Sequence, residues 1–130
     1  MWSFKGKIKS FSFDEMACKN CPHCGGISDM NEDFMVRLQE LRDACSFPLP
    51  VNSGFRCEKK NQDCGGHPTS GHLTGEAADL RVERNQARVV IQKAIEMGFS
   101  VGIQQKGNSR FVHVDTKPRR SGNANLWSYA

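Results

Sequence analysis

Apolar residues recur every three or four positions in two segments of the chain, which is the spacing of one face of an α-helix. The first segment carries four of them: Phe34, Leu38, Leu41 and Cys45. Asn31 or Asp29 is its candidate N-cap, and the acidic Glu32 and Asp33 suit the positive end of a helix. The spacing predicts a helix that ends near residue 45.

The second helical segment lies later in the chain and carries five apolar residues: Val90, Ile91, Ala94, Ile95 and Met97. Asn85 is the candidate cap at its start, and Gly98 is the stop signal at its end. These two segments are the main helices that the sequence predicts.

Alternating apolar and polar residues indicate strands between and after the helices. The predicted strands cover residues 51–55, 77–82, 99–103 and 110–115. A polar turn at residues 106–109 separates the last two strands. Residues 57–71 and the tail 116–130 are predicted to be irregular, with an apolar stretch only at the end of the tail. The pattern predicts one α+β domain over residues 1–130, with two main helices on a small, mostly antiparallel sheet.

Composition and charge place the chain among soluble globular domains. Lys and Arg number 18 against 14 Asp and Glu, so the net charge of +4 either favours an anionic polymer or is ordinary solubilising charge. The basic residues do not cluster with aromatic residues, and residues 1–9 interleave lysines with apolar residues instead of forming the apolar stretch of a signal peptide or membrane span. We therefore expect a monomer with no nucleic-acid or membrane partner.

Three of the six cysteines lie close together, at Cys18, Cys21 and Cys24. The segment from Cys21 to Gly25 has the spacing and the glycine of a knuckle that presents two thiolates to one metal. Further ligands of a complete site would come from among His23, Cys45, Cys57 and Cys64. Three states of these cysteines stay open. They could form a structural zinc site that includes all three, remain reduced thiols, or form disulfides.

Imidazoles and carboxylates stand where they could meet on one face of the predicted sheet. His113 and Asp115 are two residues apart on a strand and point to the same face, and Asp79 has a similar place on its own strand. If these strands are neighbours, His72 from the preceding loop completes the group. Two imidazoles and one carboxylate leave the fourth position of a tetrahedral zinc open for water, which favours hydrolysis.

The order of these motifs resembles the zinc D-Ala-D-Ala carboxypeptidase and endopeptidase family of bacterial wall enzymes and phage endolysins. The matching motifs, between residues 11 and 115, are Ser53-Gly54-Phe55-Arg56, Asn61, Gly65-Gly66, Ser70-x-His72-x-x-Gly75-x-Ala77-x-Asp79 and Phe111-Val112-His113-Val114-Asp115. The resemblance implies the small α+β fold shared with the hedgehog signalling domain. It also implies zinc as the cofactor, with His72, Asp79 and His113 as its ligands.

The resemblance further implies catalytic and substrate-binding residues. Arg56 would hold a substrate carboxylate or carbonyl, with Ser70 at the same substrate site, and the alternative for Arg56 is a surface ion pair with Glu58 or Asp63. Better-known members carry a general base just before the last zinc ligand, where this chain has no acid. Asp115 is the nearest carboxylate, and it would be the catalytic base, a residue that orients a ligand histidine, or a zinc ligand itself.

The predicted function is that of a zinc metallopeptidase acting on stem or cross-link peptides of peptidoglycan, whose free carboxylates suit Arg56. The absence of a signal peptide favours a phage or prophage lysis enzyme, present in the host cytoplasm before lysis or carried on a particle. One alternative is a non-catalytic, zinc-containing module of the same fold that binds the wall or serves particle assembly. Another is a zinc-knuckle protein that binds nucleic acid.

Overall fold

A computed structural model describes residues 6–19, 21–106, 109–117 and 125–128. Its elements in chain order are α1 (Phe13–Met16), α2 (Glu32–Cys45), β1 (Val51–Ser53), α3 (Glu58–Asp63), a 3₁₀ turn (Gly71–Thr74), β2 (Ala77–Leu80), α4 (Arg84–Glu96), β3 (Ser100–Lys106), β4 (Ser109–Asp115) and β5 (Leu126–Ser128). In the described part of the chain, none of the helices has the length and apolar character that crossing a membrane requires.

The strands form one sheet in the order β1-β2-β4-β3-β5. The α+β class is confirmed, but the sheet is mixed rather than mostly antiparallel, because β5 runs parallel to β3 while the other pairs are antiparallel. β3 and β4 pair on either side of the predicted polar turn, whose residues 107 and 108 lie outside the described residues. The prediction of an irregular tail is wrong at residues 126–128, which form β5.

Helix α2 begins and ends where its sequence predicts. The side chain of Asn31 accepts a hydrogen bond from the backbone N–H of Phe34 at 2.9 Å, which satisfies one of the free donors of the first turn. The helix ends at Cys45, and Ser46 takes a left-handed conformation with φ 61°. The apolar face predicted from the spacing is buried in the core.

Helix α4 also forms as predicted, with a different start. Its N-cap is Glu83, which makes no side-chain capping bond, and Asn85, predicted as the cap, lies inside the helix. Gly98 follows the helix with φ 85°, a conformation that glycine adopts without steric cost. Ile95 is 49% exposed, so only part of the predicted apolar stripe enters the core.

The prediction that residues 57–71 are irregular is wrong over α3 and the start of the 3₁₀ turn. Of the α3 residues, only Asn61 is buried, so this short helix has no apolar periodicity by which a sequence pattern could detect it. Its N-cap is Cys57, whose sulfur accepts a hydrogen bond from the backbone N–H of Lys60 at 3.5 Å.

The two faces of the sheet serve different purposes. Ala78, Leu80, Val112 and Val114 pack into the hydrophobic core together with residues of α2 and α4. The alternate positions face away from that core, and the strand register places four of them in one row: Asp79, His113, Gly102 and Trp127. The helices thus support one face of the sheet, while chemically active side chains lie on the other.

The 3₁₀ turn is joined to the segment before α2 through Gly75. This glycine has φ 72°, and its carbonyl oxygen accepts a hydrogen bond from the backbone N–H of Asn31 at 3.0 Å. A Cβ at residue 75 would lie 2.3 Å from the carbonyl oxygen of Asp29 and 2.7 Å from the Cα of Met30. Only glycine allows this close approach, which positions the turn that carries His72.

We predict that Gly75→Ala destabilises the fold much more than Gly65→Ala. Both glycines have φ 72°, so each substitution places a side chain in the left-handed region at a cost of about 1 kcal/mol. The Cβ at residue 65 meets nothing within 4 Å, whereas the one at residue 75 displaces backbone and adds roughly 1–3 kcal/mol. Denaturant unfolding of the two variants measures the difference, and equal loss of stability would contradict this account of Gly75.

Candidate metal centre and cleft

Three potential metal ligands meet on the sheet face opposite the helices, and we call His72, Asp79 and His113 the histidine centre. β2 supplies Asp79, its neighbour β4 supplies His113, and the 3₁₀ turn supplies His72. Asp79 Oδ1 lies 3.3 Å from His72 Nε2 and 2.9 Å from His113 Nδ1. All three side chains are buried. The structure therefore brings together the three residues predicted as zinc ligands.

His72 is oriented by one hydrogen bond of its ring and two of its main chain. Its Nδ1 lies 2.6 Å from the carbonyl oxygen of Gly54 and therefore carries the proton that it donates there. The other nitrogen, Nε2, is buried and has no hydrogen-bond partner among the described residues. The side chain of Ser70 accepts from the His72 backbone N–H, and the backbone N–H of Arg56 donates to the His72 carbonyl oxygen. A buried ring nitrogen that makes no hydrogen bond and lies 3.3 Å from a carboxylate oxygen is placed as a metal ligand would be.

His113 lies between two carboxylates. Its Nε2 is 2.7 Å from Asp115 Oδ2, and its Nδ1 is 2.9 Å from Asp79 Oδ1. Burial by itself would lower the pKa of His113, but the carboxylates of Asp115 and Asp79 outweigh it and raise this pKa to about 9. Burial would likewise raise the pKa of Asp79, yet His113 and His72 hold it well below its ordinary value. The metal-free centre thus holds an imidazolium between two anions.

The donor set fits zinc. Ligand atoms about 2 Å from a tetrahedral zinc lie about 3.3 Å from one another. The ligand atoms of the histidine centre lie within 4.8 Å of one another, and the two separations from Asp79 Oδ1, 3.3 and 2.9 Å, lie at the tetrahedral spacing and slightly below it. A cation would take the position of the proton on His113 Nδ1 and would also engage the unpartnered Nε2 of His72. The chain supplies three ligands, so a fourth position is left for water or substrate.

Arg56 lies beside the histidine centre instead of forming a surface ion pair with Glu58 or Asp63. Its Nη2 is 3.9 Å from Asp79 Oδ2, and its Nη1 donates to Asn61 Oδ1 at 3.3 Å. The side chain is 15% exposed, and its buried Nε has no hydrogen-bond partner among the described residues. Asp63, one of the alternative partners, forms its ion pairs with His23 and Lys59. The guanidinium is therefore held beside the centre, with Nη2 nearest to Asp79.

Asn61 was a motif residue without an assigned role, and the structure gives it one. Its buried side chain accepts from Arg56 and donates to the carbonyl oxygen of His67 at 2.9 Å. A Cβ at Gly66 would lie 2.1 Å from Asn61 Oδ1. Gly66, the second of the paired glycines of the motif, thus leaves room for the amide that holds Arg56 in place.

An open cleft of about 940 Å³ extends over the centre and includes Arg56 and Ser70 in its lining. Trp127 also lines it, with its ring 5.3 Å from that of His113. A Cβ at Gly102 would lie 2.6 Å from the indole, so the glycine leaves room for this ring. Sequence reasoning missed Trp127 as a cleft residue, and the one available signal was the apolar stretch in the polar tail.

A family model described as peptidase M15 matches residues 9–115 of the chain. The chain belongs to the peptidase M15 family. It is also 33% identical over 97 residues to the zinc D-Ala-D-Ala carboxypeptidase of Streptomyces albus G. That match covers 72% of this chain and 36% of the relative, so the chain spans about a third of the relative's length. The resemblance to zinc D-Ala-D-Ala peptidases is thereby confirmed, and so is zinc as the cofactor of this M15 domain.

The remaining predicted site residues are also placed by the structure. Asp115 is buried behind His113, where its second oxygen accepts from the backbone N–H of Lys117 at 3.2 Å. The three candidate structural ligands of the cysteine loop lie in one group with a fourth residue, Cys57. By sequence alone, Cys57 is one of several candidates for a further ligand. The roles of all these residues in binding and catalysis stay predictions.

We predict that both ring nitrogens of His113 carry a proton at pH 7 in the metal-free protein. Once zinc is bound, Nδ1 should have lost its proton and Nε2 should keep its own. Because its pKa is raised from 6.5 to about 9, its ion pairs stabilise the metal-free fold fully below about pH 6.5 and cease to do so as the pH rises through about 9. Long-range ¹⁵N–¹H correlation spectra of the imidazoles report both states. Zinc should shift Nδ1 alone, and a neutral His113 at pH 7 without zinc would refute the prediction.

Proposed function

We propose that this protein is a zinc-dependent peptidase that hydrolyses stem or cross-link peptides of peptidoglycan, in the setting of a phage or prophage that attacks a bacterial wall. The observation that carries the proposal is the histidine centre, buried at an open cleft that the guanidinium of Arg56 also lines. Membership of the peptidase M15 family and the name of the Streptomyces relative support it. Zinc, when bound, supplies an activated water nucleophile and polarises the carbonyl that is attacked.

The charges around the cleft suit a peptide with a free carboxylate. Lys19, Arg56 and Lys60 all contribute to its lining. The acidic groups of the lining, Asp79 and Asp115, face imidazole nitrogens, and Asp79 also lies 3.9 Å from Arg56, so neither acid faces the two lysines. A planar guanidinium binds a carboxylate through two parallel hydrogen bonds, which fixes the direction of the peptide as well as its affinity. Arg56 would thus hold the substrate while the histidine centre acts on a nearby bond.

The geometry of Asp115 favours one of the roles considered for it. One of its oxygens faces His113 Nε2 and the other accepts from a backbone N–H, so both oxygens have protein partners. By holding the proton on Nε2, Asp115 leaves the lone pair of Nδ1 for the metal. It therefore acts as a positioning residue through His113 rather than as the base that receives the proton of the attacking water. His67, which lines the same cleft, is then the candidate base to examine next.

The proposal is tested by incubating zinc-loaded protein with purified muropeptides and identifying new termini by mass spectrometry. We expect cleavage next to a residue that bears a free carboxylate. Arg56→Lys should lower kcat/KM by about 10- to 100-fold, because a lysine keeps the charge but loses the paired donors. Arg88→Ala, an exposed arginine on α4, is the matched control and should leave kcat/KM unchanged.

Muropeptides whose carboxylates are amidated separate substrate binding from a structural effect of Arg56. The loss caused by Arg56→Lys should shrink on the amidated peptides, since the interaction that it removes is already absent. Absence of new termini with any muropeptide, in protein shown to carry zinc, would rule out the peptidase and favour the non-catalytic wall-binding module.

We further predict that Asp115→Asn weakens zinc binding by about 10- to 100-fold and that its activity recovers with excess zinc, as expected for a residue that orients a ligand. A catalytic base would behave differently, because turnover would fall by about 10²- to 10⁴-fold while zinc stays bound. Competition with a chromophoric chelator gives the zinc affinity, to be compared with turnover at low and high zinc. Normal affinity combined with lost turnover would contradict the positioning role.

A further inference from the structure

Four cysteine sulfurs lie close together in a group that shares no residue with the histidine centre. Cys18, Cys21, Cys24 and Cys57 form this group, which we call the cysteine cluster, and their sulfurs all lie within 4.8 Å of one another. The Cys21 and Cys57 sulfurs are 3.5 Å apart. Thiolates 2.3 Å from a tetrahedral metal lie about 3.8 Å from one another. The cluster is therefore nearly the size of a four-thiolate metal site, whereas disulfide pairing gives no reason for all four sulfurs to converge.

Backbone N–H groups point at the sulfurs of this cluster. The N–H of Cys57 donates to Cys18 Sγ at 3.4 Å, and that of Lys60 donates to Cys57 Sγ at 3.5 Å. The sulfur of Cys21 receives hydrogen bonds from the backbone N–H groups of His23 and Cys24. Such donors stabilise negative charge on sulfur. These donors suit the thiolate form in which cysteine binds metal, although burial raises the pKa of the Cys18 thiol to about 12 in the metal-free chain.

The loop that carries three of these cysteines is packed into the protein mainly at its two ends, where Ala17, Cys18 and Met30 are buried. Between α1 and α2, residues 17–31 form no helix or strand in their described part. Ile27 is 49% exposed, and Gly25 and Gly26 turn the chain back with φ 73° and 86°. The backbone N–H of Cys18 closes the loop on the Ile27 carbonyl oxygen at 2.8 Å. Long connections without secondary structure are uncommon in compact domains, and a metal cross-link is one way to order them.

We propose that the cysteine cluster is a second, structural zinc site, distinct from the histidine centre. Zinc is the metal that four thiolates in tetrahedral arrangement most often bind, and four protein ligands leave no open position for a reactant. The site ties the loop at residues 18–24 to Cys57, the residue directly after Arg56.

The position of the site explains what it would stabilise. The backbone of Arg56 donates to the His72 carbonyl oxygen, Gly54 accepts from the His72 ring, and the Phe55 N–H donates to the Met16 carbonyl oxygen. Residues 54–57 therefore connect the cysteine cluster, the substrate arginine and the first ligand of the histidine centre. The proposal concerns metal binding alone and does not require that the protein hydrolyse any peptide.

The test begins with the double variant His72→Ala/His113→Ala, which removes the histidine centre and keeps every cysteine. Wild-type protein should bind about two zinc ions per chain by elemental analysis and the double variant about one. Cobalt in place of that zinc should give the intense thiolate-to-metal charge-transfer absorption of a tetrahedral sulfur site. Zinc-free double variant, iron in place of zinc, or a mass deficit of two disulfides would each overturn the proposal.

Adding Cys57→Ser to the double variant should abolish the remaining stoichiometric zinc. Cys64→Ser is the matched control, since Cys64 is exposed and lies outside the cluster, and it should retain about one zinc per chain. In the otherwise wild-type chain, Cys57→Ser should lower Tm by about 10 °C or more, against little change for Cys64→Ser. Equal zinc content in the two serine variants would refute the assignment of Cys57. The zinc and cobalt measurements on the double variant stand even where Cys57→Ser fails to fold.

Discussion

The carboxylate of Asp79 is the group around which the site is organised. It is charged and buried on β2, between β1 and β4, and a charge in that position is costly without partners. Its partners come from three parts of the chain: Arg56 after β1, His72 from the 3₁₀ turn and His113 from β4. Each of these is held in turn by a further polar group, so the network around one carboxylate joins the sheet, the turn and the start of α3. The hydrophobic core lies on the other face, where it fixes the positions of the strands.

The sequence predicted the elements that have a strong local pattern. The face of α2 and the alternation around His113 could be detected because each buries its apolar residues at a regular spacing. Helix α3 escaped detection because it is short and polar, and because a cysteine serves as its N-cap. β5 was missed for another reason, since its parallel pairing with β3 depends on contacts between segments distant in sequence. That one pairing is what makes the sheet mixed.

The candidate site likewise has a part that local sequence predicts and a part that depends on tertiary contacts. Local spacing was enough to predict that His113 and Asp115 share a face, and the motif order added His72 and Asp79. The joining of Cys57 to the cysteine loop, and the placing of Trp127 beside His113, required the tertiary structure. Nothing near Cys57 in sequence distinguishes it from Cys45 or Cys64 as a partner of that loop. The role that we propose for Asp115 also depends on contacts on both sides of one imidazole, which sequence spacing does not specify.

The order in which the ligands occur along the chain separates the two clusters in time during synthesis on the ribosome. All four sulfurs of the cysteine cluster belong to the first 57 residues, whereas the histidine centre needs His113 from β4. At about 5 to 20 residues per second, the stretch between residues 57 and 113 takes roughly 3 to 11 s to be made. Once Cys57 has left the ribosome, the nascent chain exposes four thiols to cellular metal and oxidants while Asp79 still lacks the strand that completes its site. The cysteine cluster can therefore bind metal before the histidine centre is complete.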